Sequence, residues 1–343
     1  MFNKTIATLA IALMVLGGSI STAFAKEIRW GTSRVGSSGH KAVTNLAEML
    51  KRKMPEFPVT VQPTPGAILT VKGYTQGQFE GYYGSDVAFY ELANNIKRFK
   101  GFKEQMKKAP VQSFWTFTVE MGVAVHARDK DSIKSWGDLS GKRVFTGPRP
   151  WDTRAQLERA FEALGVKHEY IEVDIKSAGS LLEGGRFSGF GVYTNAEAST
   201  ARWITETSMQ TDWAGLNLSD AERKTLESKG FKVVDIPLTT FGKKVTHAPT
   251  VSLLPFYYGL HVGMEIAPND LLRMLKIIEA NAQDLAKADK SFKQIAADMP
   301  AMQVRGVNAA LNLVEIHPGL AMYMKEKGIW DSKWDSRVAK GGM

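Results

Sequence analysis

The stretch Arg143-Val144-Phe145-Thr146-Gly147-Pro148-Arg149-Pro150-Trp151-Asp152-Thr153-Arg154 decides how the rest of the chain is read. Its first four residues read as a short strand, and Gly147 and the prolines make a turn. Ala155, Leu157, Ala160, Phe161 and Leu164 then recur at helical spacing, and Gly165 stops that helix. Strand, turn and helix N-terminus together direct unpaired backbone N–H groups and the positive end of a helix dipole at one spot, which suits an anion. Asp152 or Thr153 is positioned to cap the helix. Arg149 and Arg154 add positive charge, and a guanidinium can grip a carboxylate with two bonds. The plainer alternative is an ordinary turn with surface arginines, Arg154 pairing with Glu158 one helical turn on.

The same plan recurs toward the N-terminus. Ile28–Gly31 reads as a strand, followed by the loop Thr32-Ser33-Arg34-Val35-Gly36-Ser37-Ser38-Gly39-His40 and a helix with Ala42, Val43, Leu46, Ala47 and Leu50 on one face. Val59–Gln62 is a second strand. Pro63-Thr64-Pro65-Gly66 turns into a helix over 67–76, and a third strand over 81–84 runs into Ser85-Asp86. This β-α-β-α-β succession predicts a parallel sheet with crossover helices. Such sheets bind ligands beyond the carboxyl ends of their strands, here loops 32–40, 63–67 and 84–88.

Region 141–237 repeats the plan, with strands expected at 171–173 and 187–194, the latter carrying Tyr193, and helices at 177–182 and 197–204. The basic segment 93–108 and the segment 269–288 both read as helices. Two long β-rich runs, 114–127 and 245–262, flank the second unit. The expectation is an α/β protein of two hinged lobes, each with its own sheet, joined by long crossover strands. Loops of one lobe would face 147–154 and 193–195 of the other across a cleft.

The composition narrows the function. Lys4, the apolar run Ile6–Leu16 and Ala23-Phe24-Ala25 read as a signal peptide cleaved after Ala25, which places the mature chain in the periplasm. The chain has no cysteine, which excludes disulfides, thiolate metal sites and a cysteine nucleophile. The formal charge of +9 favours anionic partners. Its Lys and Arg residues are scattered rather than striped with aromatics, so nucleic acid is not expected. His247, His261 and His317 lie far apart, and no metal-ligand spacing occurs. His40 sits in a cleft loop, where it would change charge near neutral pH.

Several stretches, in order, resemble the TAXI-type substrate-binding subunit of tripartite ATP-independent periplasmic (TRAP) transporters. They are Ile28-Arg29-Trp30-Gly31-Thr32 with its glycine loop; Thr60-Val61-Gln62 before Thr64-Pro65-Gly66; Ser85-Asp86-Val87; and Ser135-Trp136-Gly137-Asp138-Leu139-Ser140-Gly141-Lys142-Arg143-Val144. Gly147-Pro148 with Thr153-Arg154, Pro249-Thr250-Val251, and His317-Pro318-Gly319 with Tyr323 complete the set. The resemblance implies a two-lobed periplasmic binding protein fold that delivers an organic solute to a TRAP-type membrane permease. The helix N-terminus at 152, the arginines of its turn and the basic chain make the expected solute a small organic anion, a carboxylate first of all, and no cofactor is expected. The lobes would be 26–122 with 253–343, and 123–252. Carried over, the ligand residues are Thr32, Ser33, Thr64, Gly66, Ser85, Asp86, Gly147, Thr153 and Arg154. Arg34, Ser38, His40, Arg149, Trp151 and Tyr193 join them by position in the same loops. The chain departs from the family pattern at Ser38-Gly39-His40 and Pro150-Trp151-Asp152, both in the expected pocket. The competing reading is a periplasmic hydrolase or precursor-handling enzyme on the same fold, with Asp86 and Asp152 as a carboxylate pair.

Overall fold

The computed structural model describes residues 27–242, 245–246 and 248–341. The expected export segment and His247 lie outside the described residues. The first unit follows the sequence closely: β1 (Ile28–Thr32), α1 (Ser38–Lys53), β2 (Val59–Pro63), α2 (Ala67–Thr75), β3 (Gly81–Ser85) and α3 (Asp86–Ala93). β2, β1 and β3 are parallel neighbours. Beyond them come β4 (Val111–Gln112) and the wholly buried β5 (Trp115–His126).

The second unit holds β6 (Arg143–Phe145), α4 (Asp152–Leu164), β7 (Glu169–Tyr170), α5 (Ala178–Glu183), β8 (Gly189–Asn195), β9 (Ser199–Thr200), α6 (Arg202–Gln210), β10 (Trp213–Leu216), α7 (Asp220–Ser228), β11 (Val234–Pro237) and β12 (Val245–Thr246). The chain returns through β13 (Thr250–Val262) and finishes with α8 (Pro268–Ala280), α9 (Ala282–Ala288), α10 (Lys293–Ala310), β14 (Glu315–Ile316) and α11 (Pro318–Glu326).

The two long strands organise both halves. β13 pairs antiparallel with β3 through Tyr258↔Ser85 to Val262↔Gly81, and with β5 through Leu254↔Met121 to Gly259↔Trp115. β5 pairs antiparallel with β8 over 119–125 and with β10 over 123–126. The order β2-β1-β3-β13-β5-β8-β6-β7 is therefore one continuous, curled mixed sheet. The second lobe has no detached sheet of its own. The expectation of two separate sheets fails because β5 and β13 are long enough to carry hydrogen bonds into both lobes.

Four local expectations are corrected. Region 93–108 is two short 3-10 turns, Lys97–Phe99 and Lys103–Gln105, because Asn95, Lys97 and Gly101 take positive φ and break the helix. The strand expected at 171–173 pairs two residues earlier, at Glu169–Tyr170. The helix expected at 197–204 starts only at Arg202, since Ala196 and Glu197 turn the chain so that β9 pairs back on β8. The helix 269–288 is interrupted at Asn281. The helix of the opening stretch forms as read, from Asp152 to a left-handed Gly165 at its end. Five of the largest fully buried side chains, Trp30, Trp115, Trp136, Trp213 and Trp334, lie in one contiguous core.

Candidate ligand-binding site

Three helices begin at one small cavity between the lobes. α1 starts there with Ser38 and Gly39, α2 with Ala67, and α4 with Trp151 and Thr153 at its first turn. Ser37 caps α1, its Oγ accepting from the His40 amide at 3.2 Å. The N-cap residues of α2 and α4, Gly66 and Trp151, supply no side-chain cap. First-turn amides have no partner inside their own helix, so these two helix starts leave donors at the cavity unsatisfied from within.

The cavity measures about 40 Å³. Four aromatic side chains, Tyr83, Trp151, Tyr193 and Tyr258, make up its largest walls. Tyr83 and Tyr258 stack with ring centroids 4.2 Å apart, and Trp151 meets Tyr193 edge-on at 6.5 Å. Trp203 backs Tyr193, donating its indole N–H to the Tyr193 hydroxyl at 3.3 Å. Burial pushes the Tyr193 phenol up to about 12, and Tyr83 and Tyr258 also rise well above the ordinary tyrosine range, so all three stay neutral. Hydroxyls of Ser33, Ser37, Ser38 and Thr153 and the Asn195 amide add polar groups to the lining, in which there is no charged side chain. Asn195 donates from Nδ2 to Ser38 Oγ at 3.0 Å across the cleft, while its buried Oδ1 has no partner.

Asp152 fastens the lobes beside this cavity. It is fully buried at the start of α4, and its carboxylate is held by groups from β3, β13 and the turn after α3. Ser85 Oγ donates to it at 2.5 Å, Tyr258 Oη at 3.0 Å, and Arg98 at 2.6 Å. Arg98 also binds Glu91 at 2.7 Å. At Gly66 the backbones close tightly: a Cβ there would stand 2.9 Å from the Pro150 carbonyl oxygen.

The residues read from the sequence separate into groups. Ser33, Ser38, Trp151, Thr153 and Tyr193 line the cavity. Thr32 is buried, and its hydroxyl has no partner among the described residues. Thr64 donates to the Gly66 carbonyl at 2.9 Å, Ser85 serves Asp152, and the Gly147 carbonyl accepts from Tyr170 at 3.1 Å. Arg34 is exposed. His40 lines an outer groove together with Lys41, Arg202 and Lys290, and burial lowers its imidazole below the usual range. Arg149 is exposed, 3.3 Å from Glu172. Arg154 lies 3.4 Å from Glu158 and 4.1 Å from the centre of the Tyr170 ring, and it is not among the lining residues. Asp86 faces a different, rear cavity. Its Oδ1 accepts from the Val87 and Tyr257 amides, and burial pushes its carboxyl up to about 7.

Tyr83, Val119, Asn195 and Tyr258 line the cavity without having been singled out. Asn195 was within reach: it stands two residues after Tyr193 on β8, and alternate residues of a strand share a face. Tyr258 required the register of β13 against β3. Among the described residues no group of three or more His, Asp or Glu is placed to hold a metal ion. His261 and His317 are buried core groups, lowered by burial to about 3 and about 4. No described helix is long and apolar enough to cross a membrane.

Comparison with known proteins follows this geometry. The model of the NMT1-like family matches residues 31–328. No curated protein matches the sequence. Among solved structures, the chain is similar to the periplasmic aliphatic sulphonate binding protein SsuA of Escherichia coli, at 11% identity over 91% of this chain and 97% of that one, with a TM-score of 0.42. It is also similar to the ligand-binding component of an ABC-type import system from Staphylococcus aureus, at 11% identity over 89% and 100%, TM-score 0.45. A putative L-cystine ABC transporter from Listeria monocytogenes shows 11% identity over 80% and 95%, TM-score 0.38. The chain belongs to the NMT1-like family.

Proposed function

We propose that this chain is an exported, non-enzymatic solute-binding protein. It closes its two lobes, 26–122 with 253–343 and 123–252, over a small organic anion and presents that solute to a TRAP-type permease. The observation that carries the reading is the meeting of three helix N-termini, two without side-chain caps, at an aromatic cavity that both lobes enclose. An anion there would accept from first-turn backbone amides and sit at the positive ends of the helix dipoles. A carboxylate is the simplest such group. The hydroxyls of Ser33, Ser38 and Thr153 add donors, and the rings of Tyr83, Trp151, Tyr193 and Tyr258 cover the carbon skeleton. Asn195 Oδ1 offers an acceptor to an N–H or O–H elsewhere on the solute. The TRAP partner follows from the sequence stretches that resemble the TAXI type, as does export with cleavage after Ala25.

A thermal-shift panel of small carboxylates, alkanesulfonates and amino acids, followed by calorimetry, tests this. A true ligand at a hundred times its Kd stabilises the fold by about 2.7 kcal/mol and is recovered unchanged. Trp151→Ala should abolish that shift. A best ligand without a negative group, or consumption of the ligand, would overturn the proposal.

A further inference from the structure

A second cavity, about 440 Å³, opens behind the Asp152 network. One wall belongs to the first lobe: Asp86 and Tyr90 of α3, Tyr257 of β13 and Arg305 of α10. The other belongs to the second: Arg159 of α4 with Lys229 and Lys232 just after α7. The loop that carries the lysines is fixed by the end of α7, where the Gly230 amide donates to the Glu227 carbonyl at 3.0 Å and the Phe231 amide to the Leu226 carbonyl at 3.0 Å. Arg159 is held between the lobes, its guanidinium 4.4 Å from the Tyr90 ring and 5.5 Å from the Phe231 ring.

Four cations therefore surround this space. Several of the more buried cations elsewhere are matched with carboxylates, as Arg29 is with Glu80, Arg98 with Glu91 and Asp152, and Arg223 with Asp235. Arg159, Lys229, Lys232 and Arg305 have no ion pair among the described residues. The hydrogen bonds of the two arginines go to neutral groups: Arg159 donates to Gln156 Oε1 at 3.4 Å and Arg305 to the Met302 sulfur at 3.5 Å. Among the acids nearby, Glu91 is engaged by Arg98, and the Asp86 carboxyl is buried and bonded to two backbone amides. Cations of like sign around one void repel one another, and that repulsion is relieved when an anion enters. The cavity's size falls within the range of small-molecule sites.

We propose that this rear cavity is a second binding site, for a small molecule bearing two or more negatively charged oxyanion groups. Arg159 and the lysines hold it from one lobe and Arg305 from the other, so a bound polyanion ties the closed lobes together. A singly charged anion would leave most of the cations unmatched and bind weakly. The site is separate from the aromatic cavity and shares no lining residue with it.

The test titrates citrate and inorganic pyrophosphate, with acetate as the singly charged control, into the full mature chain by calorimetry. Arg305 and Lys232 are exposed, so the double variant Arg305→Gln, Lys232→Gln is expected to fold, and circular dichroism and a melting curve check that it does. At least one polyanion should bind wild type more tightly than acetate by about tenfold or more, and its affinity should fall by about tenfold or more in the double variant. Arg159→Gln should produce a loss of the same kind. Trp151→Ala, which alters only the front cavity, should leave polyanion affinity unchanged. Preference for citrate over pyrophosphate, or the reverse, tells carboxylate from phosphate chemistry. Equal affinities in wild type and the double variant, absence of polyanion binding, or loss caused by Trp151→Ala alone would overturn the proposal.

Discussion

The front and rear cavities both lie between the lobes, yet they present positive potential in different ways. In front, no charged side chain lines the wall, and the positive ends of three helices face a space of about 40 Å³ enclosed by aromatic rings. Behind, four cationic side chains surround about 440 Å³. The difference follows from solvation. An unpaired guanidinium in a dry aromatic pocket would bear a large desolvation penalty whenever the ligand is absent. Backbone dipoles carry only partial charge and are held by the helices themselves, so they tolerate an empty dry site. The rear cavity is roughly ten times larger and has room for water around its cations, so full charges are sustainable there. Asp152 follows the front-cavity residue Trp151 at the start of α4, and together with the equally buried Glu91 it holds Arg98.

Breaking that partition should cost most. Arg98→Ala leaves Asp152 and Glu91, both almost fully buried, without their countercharge. Removing one member of a buried ion network typically destabilises by about 3–5 kcal/mol, and urea unfolding should show a loss of that size. An unchanged midpoint would mean the two cavities are not held apart by this network. The second effect is in pH. Glu120 lies on β5 where it runs between the lobes; its Oε2 accepts from the Thr194 hydroxyl at 2.5 Å and the Glu197 amide at 3.0 Å, and its Oε1 from Thr118. Burial raises its carboxyl to about 8. The folded state therefore holds a proton that the unfolded chain has released, and stability is lost as pH rises from about 4.5 through about 8. Over that window wild type should lose on the order of a few kcal/mol relative to Glu120→Gln, which does not titrate. A difference that stays flat with pH would show that Glu120 is ionised in the fold.

Gly66→Ala acts first on the front cavity. The residue's φ of −173° is extended backbone open to any side chain, so the cost arises in the contact with Pro150. Overpacking of this kind costs about 1–3 kcal/mol, here paid by the closed form and not by the separated lobes. Front-cavity affinity should fall by roughly five- to a hundredfold, while affinity for pyrophosphate at the rear falls less. Equal losses at the two sites would show that both report only closure.

The sequence carried the local chemistry of this partition better than its long-range parts. Strand–turn–helix units at 28–53, 59–76 and 143–164 were readable because apolar spacing and Gly/Pro turns are local signals. They placed Ser33, Ser38, Trp151, Thr153 and Tyr193 at loops that do converge. Tyr83 and Tyr258 stack only because β13 returns between β3 and β5, and no local pattern specifies that pairing. The shared sheet was illegible for the same reason. Asp86 and Asp152 looked alike as acids at helix starts, and topology sends one to the rear cavity and the other into the interlobe network. The break of 93–108 into short turns depends on backbone angles at Asn95 and Lys97, residues that composition alone reads as helix surface.

The smallest expected effect decides how the front cavity holds charge. The guanidinium of Arg154 stacks on Tyr170 and lies 3.4 Å from Glu158, and the side chain is about a quarter exposed. An i,i+4 pair of this kind contributes a few tenths of a kcal/mol and the ring contact about 0.5–1, so Arg154→Ala should lower stability only slightly. If backbone amides of α2 and α4 carry the ligand's negative group, affinity in the front cavity should change by less than about threefold. A competing outcome has a physical basis, because Arg154 Nε is buried without an acceptor and would grip a ligand oxygen that reached it. A charge-assisted bond there is worth roughly 1.5–3 kcal/mol, and its loss would weaken binding by about ten- to a hundredfold. Arg154→Lys separates the two further, since a lysine keeps the charge but loses the planar fork. Calorimetry on wild type and both variants with the same solute gives the answer: near-equal affinities assign the anion to the helix ends, and a tenfold loss in both variants assigns it to Arg154.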